Sequence, residues 1–195
     1  MKRFLIGGAD GNEQLTSVVA ILLVLALAVE GATLLNLRGM LNVHAFVGML
    51  LLPIVGLKLG STAWRMGRYY LGRDEYVVRG PPQVALRMLV APVLVASTVV
   101  LFGTGVLLLV LDRTQGTAVG LHKASFVVWV AAAAIHVLAH LRELPRALAL
   151  HVPGLWRRLA LAAVAVVAGV LLAVSTLPGA DHLQDRMNIA GFDRH

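Results

Sequence analysis

The chain of 195 residues contains no cysteine. Without thiols it can form no disulfide, no zinc-thiolate or iron–sulfur site and no covalent c-type haem attachment. Charge is also scarce, because only 14% of the residues are charged, against about 25% in soluble domains. Any metal centre in this protein must therefore use histidine, carboxylate, methionine or lysine side chains.

Long apolar runs stand in place of the missing charge. Hydrophobic residues make up 58% of the chain, and the mean hydropathy is +0.82. Five runs reach the roughly 20 residues that a helix needs to cross a hydrocarbon core about 30 Å thick. The sequence therefore predicts an all-α integral membrane bundle, a single membrane domain with helices at 15–36, 40–63, 86–111, 120–141 and 155–177. Residues 178–195 would form a polar extracytoplasmic tail.

The start of the chain resembles a secretory signal, because a basic terminus precedes an apolar run. Polar residues from Asp10 to Gln14 separate the two parts, however, and this favours a first membrane helix over a cleaved signal. Its turn to the second helix, at residues 37–39, is so short that the two must form an antiparallel pair.

The net charge of +7 is distributed unevenly between the predicted loops. No basic stripe with interleaved aromatic residues appears, so nucleic acid is not an expected partner. Eleven cations fall on the side of the N-terminus and five on the other, and the positive-inside rule then places the N-terminus in the cytoplasm and the C-terminus outside. The eleven are Lys2, Arg3, Arg65, Arg68, Arg73, Arg79, Arg87, Arg142, Arg146, Arg157 and Arg158.

Three histidines lie inside the predicted helices at depths that suit haem ligation. His44 and His122 are both near the outer ends of their helices, and His136 follows His122 on the fourth helix. Fourteen residues turn an α-helix by about 1400°, about 40° short of four full turns, and rise by about 21 Å. His122 and His136 therefore share a face at two levels. A bis-histidine haem takes one imidazole from each of two helices, so His44 and His122 are the predicted outer pair.

The inner level offers less regular candidates. Lys58 follows His44 by the same fourteen residues and has three interpretations: a neutral amine ligand, a partner of a haem propionate, or an ammonium that reaches the interface. His140, one turn after His136, is either an inner ligand or a polar neighbour. One haem b at the outer pair is therefore the prediction, with a second haem as the alternative.

Glu30 is the remaining intramembrane charge, near His44 in depth. It would accept the Nδ1 proton of a ligating imidazole, help to protonate a quinone, or stand as a protonated acid bonded to a neighbouring helix. Further residues predicted around the outer site are small or basic: glycines that would let a flat macrocycle approach the backbone, and interfacial cations that would pair with propionates. They are Gly48, Gly56, Gly103, Gly105, Arg38, Arg113 and Lys123.

Together these motifs resemble the membrane-bound b-type cytochromes of the cytochrome b561 type, most closely the small actinobacterial membrane modules of sulfite-oxidase-type molybdopterin oxidoreductases. The resemblance rests on His44-Ala-Phe-Val-Gly to Lys58-Leu-Gly, on residues 65–70, on Phe102-Gly-Thr-Gly-Val and on His122 with His136. It implies a four-helix haem-binding core in a bacterial cytoplasmic membrane, which passes electrons between a quinone and a redox partner. Members with two full histidine pairs carry histidine where this chain has Lys58.

The predicted function is therefore that of an electron-transfer subunit of a membrane redox complex rather than a stand-alone enzyme. Two alternatives belong to other classes. One is a cofactor-free anchor or assembly subunit, in which residues 178–195 dock a partner. The other is a small transporter that couples Glu30 and Lys58, although their different depths count against it.

Overall fold

The computed structural model describes residues 8–78, 86–141, 145 and 153–192, without the side chains of residues 87 and 190–192. Several residues used above lie outside these ranges, so the structure does not bear on them. They are Lys2, Arg3, Arg79, Arg142 and Arg146.

Five long apolar helices make up the described part of the chain, which contains no β-strand. They are α1 (Gly8–Thr33), α2 (Leu41–Tyr70), α3 (Ala91–Val110), α4 (Thr117–His140) and α5 (Leu155–Phe192). All five are long and apolar enough to cross a membrane. The predicted all-α membrane bundle of five helices is confirmed.

Three helices run further than the apolar runs alone indicated. The first, α1, already begins at Gly8, and α2 continues to Tyr70, where a single helical turn, Asp74–Val77, follows it. Beyond residue 177, α5 continues to Phe192 with Pro178 inside it. The described residues of the predicted polar tail are therefore helical, and Ala180 and Leu183 among them are buried.

The helices α1, α2 and α5 form one packed unit. Leu15 and Val19 of α1 meet Ile54 of α2 and small residues of α5 in the apolar core. The face that α5 buries consists mostly of small side chains, which let membrane helices approach closely. The buried residues of α5 are Arg158, Ala162, Ala165, Gly169, Ala173, Ala180 and Leu183.

A polar ladder at the end near residue 12 joins α1 to α2. Asn12 donates from Nδ2 to the carbonyl oxygen of Ser61 at 3.2 Å, and Lys58 donates from Nζ to that of Thr16 at 2.9 Å. Such bonds satisfy polar groups that lipid cannot. Since Glu30 and Thr33 meet His44 at the opposite end, the pair is antiparallel as predicted.

The helices α3 and α4 form a second unit, a hairpin joined by a hydrogen bond from Trp129 Nε1 to Thr98 Oγ1 at 2.9 Å. The two units meet chiefly where α3 lies beside α2 and α5, whereas the described backbones of α2 and α4 hardly approach each other. The histidines of α2 and α4 therefore face each other across the boundary between the two units.

The extension of α5 binds both of the turns that lead into the histidine-bearing helices. Gln184 Oε1 accepts from the backbone N–H of Leu41 at 2.8 Å and of Asn42 at 3.3 Å, and its Nε2 donates to the carbonyl oxygen of Arg38. Arg186 pairs with the Asp112 carboxylate at 2.9 Å and donates to its carbonyl oxygen at 3.0 Å. One helical turn of α5 thus ties the α1–α2 turn and the α3–α4 turn together.

Candidate functional site

The two histidines of the predicted outer pair lie face to edge at one end of the bundle. The ring centroids of His44 and His122 are 6.4 Å apart, with an angle of 89° between the ring planes. His44 lies in the first turn of α2 and His122 in the second turn of α4, and because both helices begin at the same end of the bundle the two rings lie at similar depths. The structure therefore joins the two residues that the sequence paired by depth.

Each imidazole is anchored through its Nδ1 atom by a different neighbouring helix. The Nδ1 of His44 lies 3.0 Å from Thr33 Oγ1 and 3.0 Å from Glu30 Oε1, both on α1. The Nδ1 of His122 lies 3.0 Å from the carbonyl oxygen of Leu101 and 3.1 Å from Thr104 Oγ1, both on α3. Four helices, α1 to α4, thus contribute to the site.

The partners of each ring assign its tautomer. A carbonyl oxygen can only accept, so His122 donates from Nδ1 to Leu101. The Thr33 hydroxyl donates to the carbonyl oxygen of Glu30 at 2.6 Å, so its oxygen is free to accept from Nδ1 of His44. The two rings are therefore assigned the proton on Nδ1 and a lone pair on Nε2. This is the arrangement of metal-ligating histidines, whose second nitrogen donates to a carbonyl or carboxylate.

The chemistry of the two side chains suits haem iron. His44 and His122 each present an imidazole, which is a nitrogen ligand that haem iron takes, and their ring centroids are 6.4 Å apart. Among the described residues no group of three or more His, Asp or Glu side chains could hold a bare ion. Two histidines suffice for haem iron, however, because the macrocycle supplies the other ligands. The residues present fit that group.

Glycines contribute less uniformly than the sequence suggested. A Cβ at Gly105 would lie 3.2 Å from Cε1 of His122, so this glycine makes room for the ring, and a Cβ at Gly48 would lie 3.5 Å from Oε1 of Glu30. The positions of Gly56 and Gly103 have no neighbour within 4 Å of an added Cβ among the described residues. The space at Gly48 is thus occupied by a carboxyl group, where we had expected a macrocycle.

At the other level the structure gives Lys58 a role in helix packing. Its ammonium donates to Thr16 O on α1, while His136 packs against His140 with 4.7 Å between ring centroids. The interpretation of Lys58 as an inner ligand stays a prediction. Among the rim cations, the side chains of Arg38, Arg113 and Lys123 are exposed near the ends of the helices that carry the pair.

Three contributors were not found from the sequence: Thr33 and Thr104, which bond the rings, and the carbonyl oxygen of Leu101. Both threonines are buried, at 1% and 8% exposure. A buried threonine one turn from a carboxyl, or between two glycines, is a weak signal in an apolar helix, since a hydroxyl commonly bonds a carbonyl of its own helix. Only the neighbouring ring gives these two hydroxyls a function.

In comparisons with known proteins, no protein-family profile, no curated protein and no solved structure matches the chain. The chemistry of the site therefore carries the interpretation.

Proposed function

We propose that this protein is a membrane cytochrome b subunit that holds one haem b between His44 and His122. In this role it passes electrons between a membrane quinone and a redox partner protein. The observation that carries the proposal is the facing pair of imidazoles, 6.4 Å apart between centroids, each with Nδ1 already bonded by a neighbouring helix. Helix contact alone does not require two rings that both keep Nε2 free.

A bound haem b would supply an iron that takes up and gives back one electron. His44 and His122 would hold the iron through their imidazoles, and a haem held by two protein ligands suits electron transfer rather than oxygen binding. The hydrogen bonds from α1 and α3 would hold the two rings in place, so that little reorganisation accompanies a change of charge. The surrounding apolar helices and the bilayer would exclude water from the site.

We propose one haem per chain rather than two. The inner level would need a second ligand opposite His136. The residue at that level on α2 is Lys58, and its Nζ donates a hydrogen bond to the carbonyl oxygen of Thr16. An ammonium group has three N–H donors and no lone pair for a metal.

The proposed setting is the cytoplasmic membrane of a bacterium, with the His44–His122 end of the bundle outside. Arg65, Arg68 and Arg73 lie at or beyond the far end of α2 from His44, as cytoplasmic cations would. The exposed Arg38, Arg113 and Lys123 would then be the candidate partners of haem propionates. In this role the bundle would act together with other subunits that oxidise or reduce the substrate.

The test is the haem content of the protein purified in detergent. We expect a sharp b-type α-band in the reduced-minus-oxidised spectrum and about one haem per polypeptide by pyridine haemochrome analysis. His44→Ala and His122→Ala should lose the six-coordinate spectrum, whereas the matched control His182→Ala, an exposed histidine on the extension of α5, should keep it. A wild-type protein that takes up no haem would overturn the proposal and favour the cofactor-free anchor.

A ratio near two would show instead that an inner site exists. His136→Ala and His140→Ala then identify the ligand, because only one of them should reduce the ratio to one. A ratio of one and a ratio of two are both compatible with a haem between His44 and His122. This outer site is contradicted if neither the His44 variant nor the His122 variant loses haem.

A further inference from the structure

The two rings of the candidate site have chemically different anchors. His122 donates to the neutral carbonyl of Leu101, and Thr104 stands beside it. His44 is held by a hydroxyl and by the carboxyl of Glu30, whose Oε1 lies 3.0 Å from Nδ1. In its ionised form Glu30 would be a stronger acceptor than a carbonyl or a hydroxyl, so the two imidazoles would then differ in their capacity to donate electrons.

The position of Glu30 favours a strong contact. Its side chain is 16% exposed and that of His44 19%, and the site lies within apolar helices, where a hydrogen bond is electrostatically stronger than in water. The carboxyl sits directly against the first turns of α2, between His44 and the open backbone at Gly48. Its second oxygen, Oε2, is buried and has no hydrogen-bond partner among the described residues.

Burying a carboxyl group of which only one oxygen has a hydrogen-bond partner costs free energy in a membrane protein, and such groups are usually functional. The helix contact between α1 and α2 does not require it, because Thr33 already bonds His44 from the same helix turn. What Glu30 adds is a strong acceptor on the ring nitrogen opposite the ligating one. Acceptors of this kind orient a metal-bound imidazole and raise its basicity.

We propose that Glu30 is a positioning residue that fixes the His44 ring and lowers the reduction potential of a haem bound by it. The inference rests on the proposed function. Through the Nδ1–H bond, the carboxyl makes His44 the more electron-donating of the two axial ligands, which stabilises the oxidised iron. His122, which is bonded to a carbonyl, is the weaker electron donor. The reduction potential is therefore adjusted through His44, on the α2 side of the site.

The experiment compares Glu30→Gln with Glu13→Gln, which makes the same chemical change near the opposite end of α1. Both variants are purified with haem, and the midpoint potential is measured by redox titration followed at the α-band. We expect Glu30→Gln to retain one haem and a low-spin spectrum and to shift the midpoint to a more positive potential, while Glu13→Gln keeps the wild-type value. Glu30→Asp should restore part of the difference.

The electron paramagnetic resonance spectrum of the oxidised protein gives a second readout, because it depends on the angle between the axial imidazole planes. The wild-type spectrum should be that of nearly perpendicular rings, in keeping with the observed 89°, and Glu30→Gln should alter or broaden it. If Glu30→Gln proves too unstable to hold haem, Thr33→Val removes the other anchor of the same ring and should change this spectrum without a comparable shift in potential.

The outcomes separate the two proposals. Wild-type protein without haem contradicts the proposed function, whatever Glu30 does. Haem-loaded Glu30→Gln with the potential and spectrum of Glu13→Gln leaves the cytochrome intact and overturns the role of Glu30.

Discussion

At Gly169 the backbone of α5 lies close against that of α2, and a single methyl group there should weaken the bundle. A Cβ at this position would overlap the carbonyl oxygen of Leu50 and lie 3.1 Å from its carbonyl carbon and 3.2 Å from its Cα. Backbone atoms in the middle of a helix cannot turn aside as the end of a side chain can. Gly169→Ala must therefore push the two helices apart.

The size of the effect follows from two opposing terms. Overpacking a well-packed interior costs about 1 to 3 kcal/mol, and a clash with backbone belongs in the upper part of that range. Alanine recovers about 0.5 to 1 kcal/mol over glycine inside a helix. We expect a net loss of about 2 kcal/mol, because separation at Gly169 also loosens the contacts of Ala165 and Ala173 on the same stripe.

The assay is reversible unfolding in mixed detergent micelles, followed by circular dichroism. A loss of about 2 kcal/mol lowers the folding equilibrium constant about 30-fold. The control is Gly60→Ala on α2, where an added Cβ has no neighbour within 4 Å among the described residues, and it should be as stable as the wild type or slightly more so. Equal stabilities for the two variants would refute the packing that we describe between α2 and α5.

Three further changes probe the site and its supports. Gly105→Ala places a methyl 3.2 Å from Cε1 of His122, so it should lower haem affinity, measured by haemin titration, and an unchanged affinity would contradict the crowding. Gln184→Ala removes the acceptor for two N–H groups that open α2 and should cost about 1 kcal/mol and speed amide exchange at Leu41. Lys58→Met should leave the haem content unchanged, and a variant with less haem would show that this lysine is a ligand or a propionate partner.

The link between the two packed units explains why the extension of α5 matters for the candidate site. His44 belongs to the unit of α1, α2 and α5, and His122 belongs to the α3–α4 hairpin. The spacing of the rings therefore depends on how the two units are held together. Gln184 bonds the turn before His44, and Arg186 bonds the turn before His122. Two residues on the same turn of α5 therefore hold the turns of both units.

The sequence by itself determined the number of helices and the depth of each histidine. Hydropathy decides which segments enter a bilayer, and the rise per residue then sets how deep each side chain lies. Both are local properties, so the five spans and the matched level of His44 and His122 could be predicted without knowing how the helices pack. The same holds for Glu30, whose depth near His44 already suggested contact with that ring.

Rotation about the helix axes was not determined in this way. Spacing placed Lys58 on nearly the same face as His44, yet its long, flexible side chain reaches the carbonyl oxygen of Thr16 on α1. A lysine in an apolar helix takes the nearest acceptor that packing offers, and packing depends on all the neighbours together. For the same reason the sequence did not indicate that the hydroxyls of Thr33 and Thr104 contact the two imidazole rings.

Only the tertiary structure decided the role of the last segment. The sequence predicted a polar extracytoplasmic tail there, and the structure shows that its described residues continue α5, with Ala180 and Leu183 buried. The side chain of Gln184 then accepts a hydrogen bond from the first N–H of α2, at Leu41, although the two residues are 143 positions apart in the chain. No local pattern encodes such a cap, because the two ends meet only when the small residues of α5 have packed against α2.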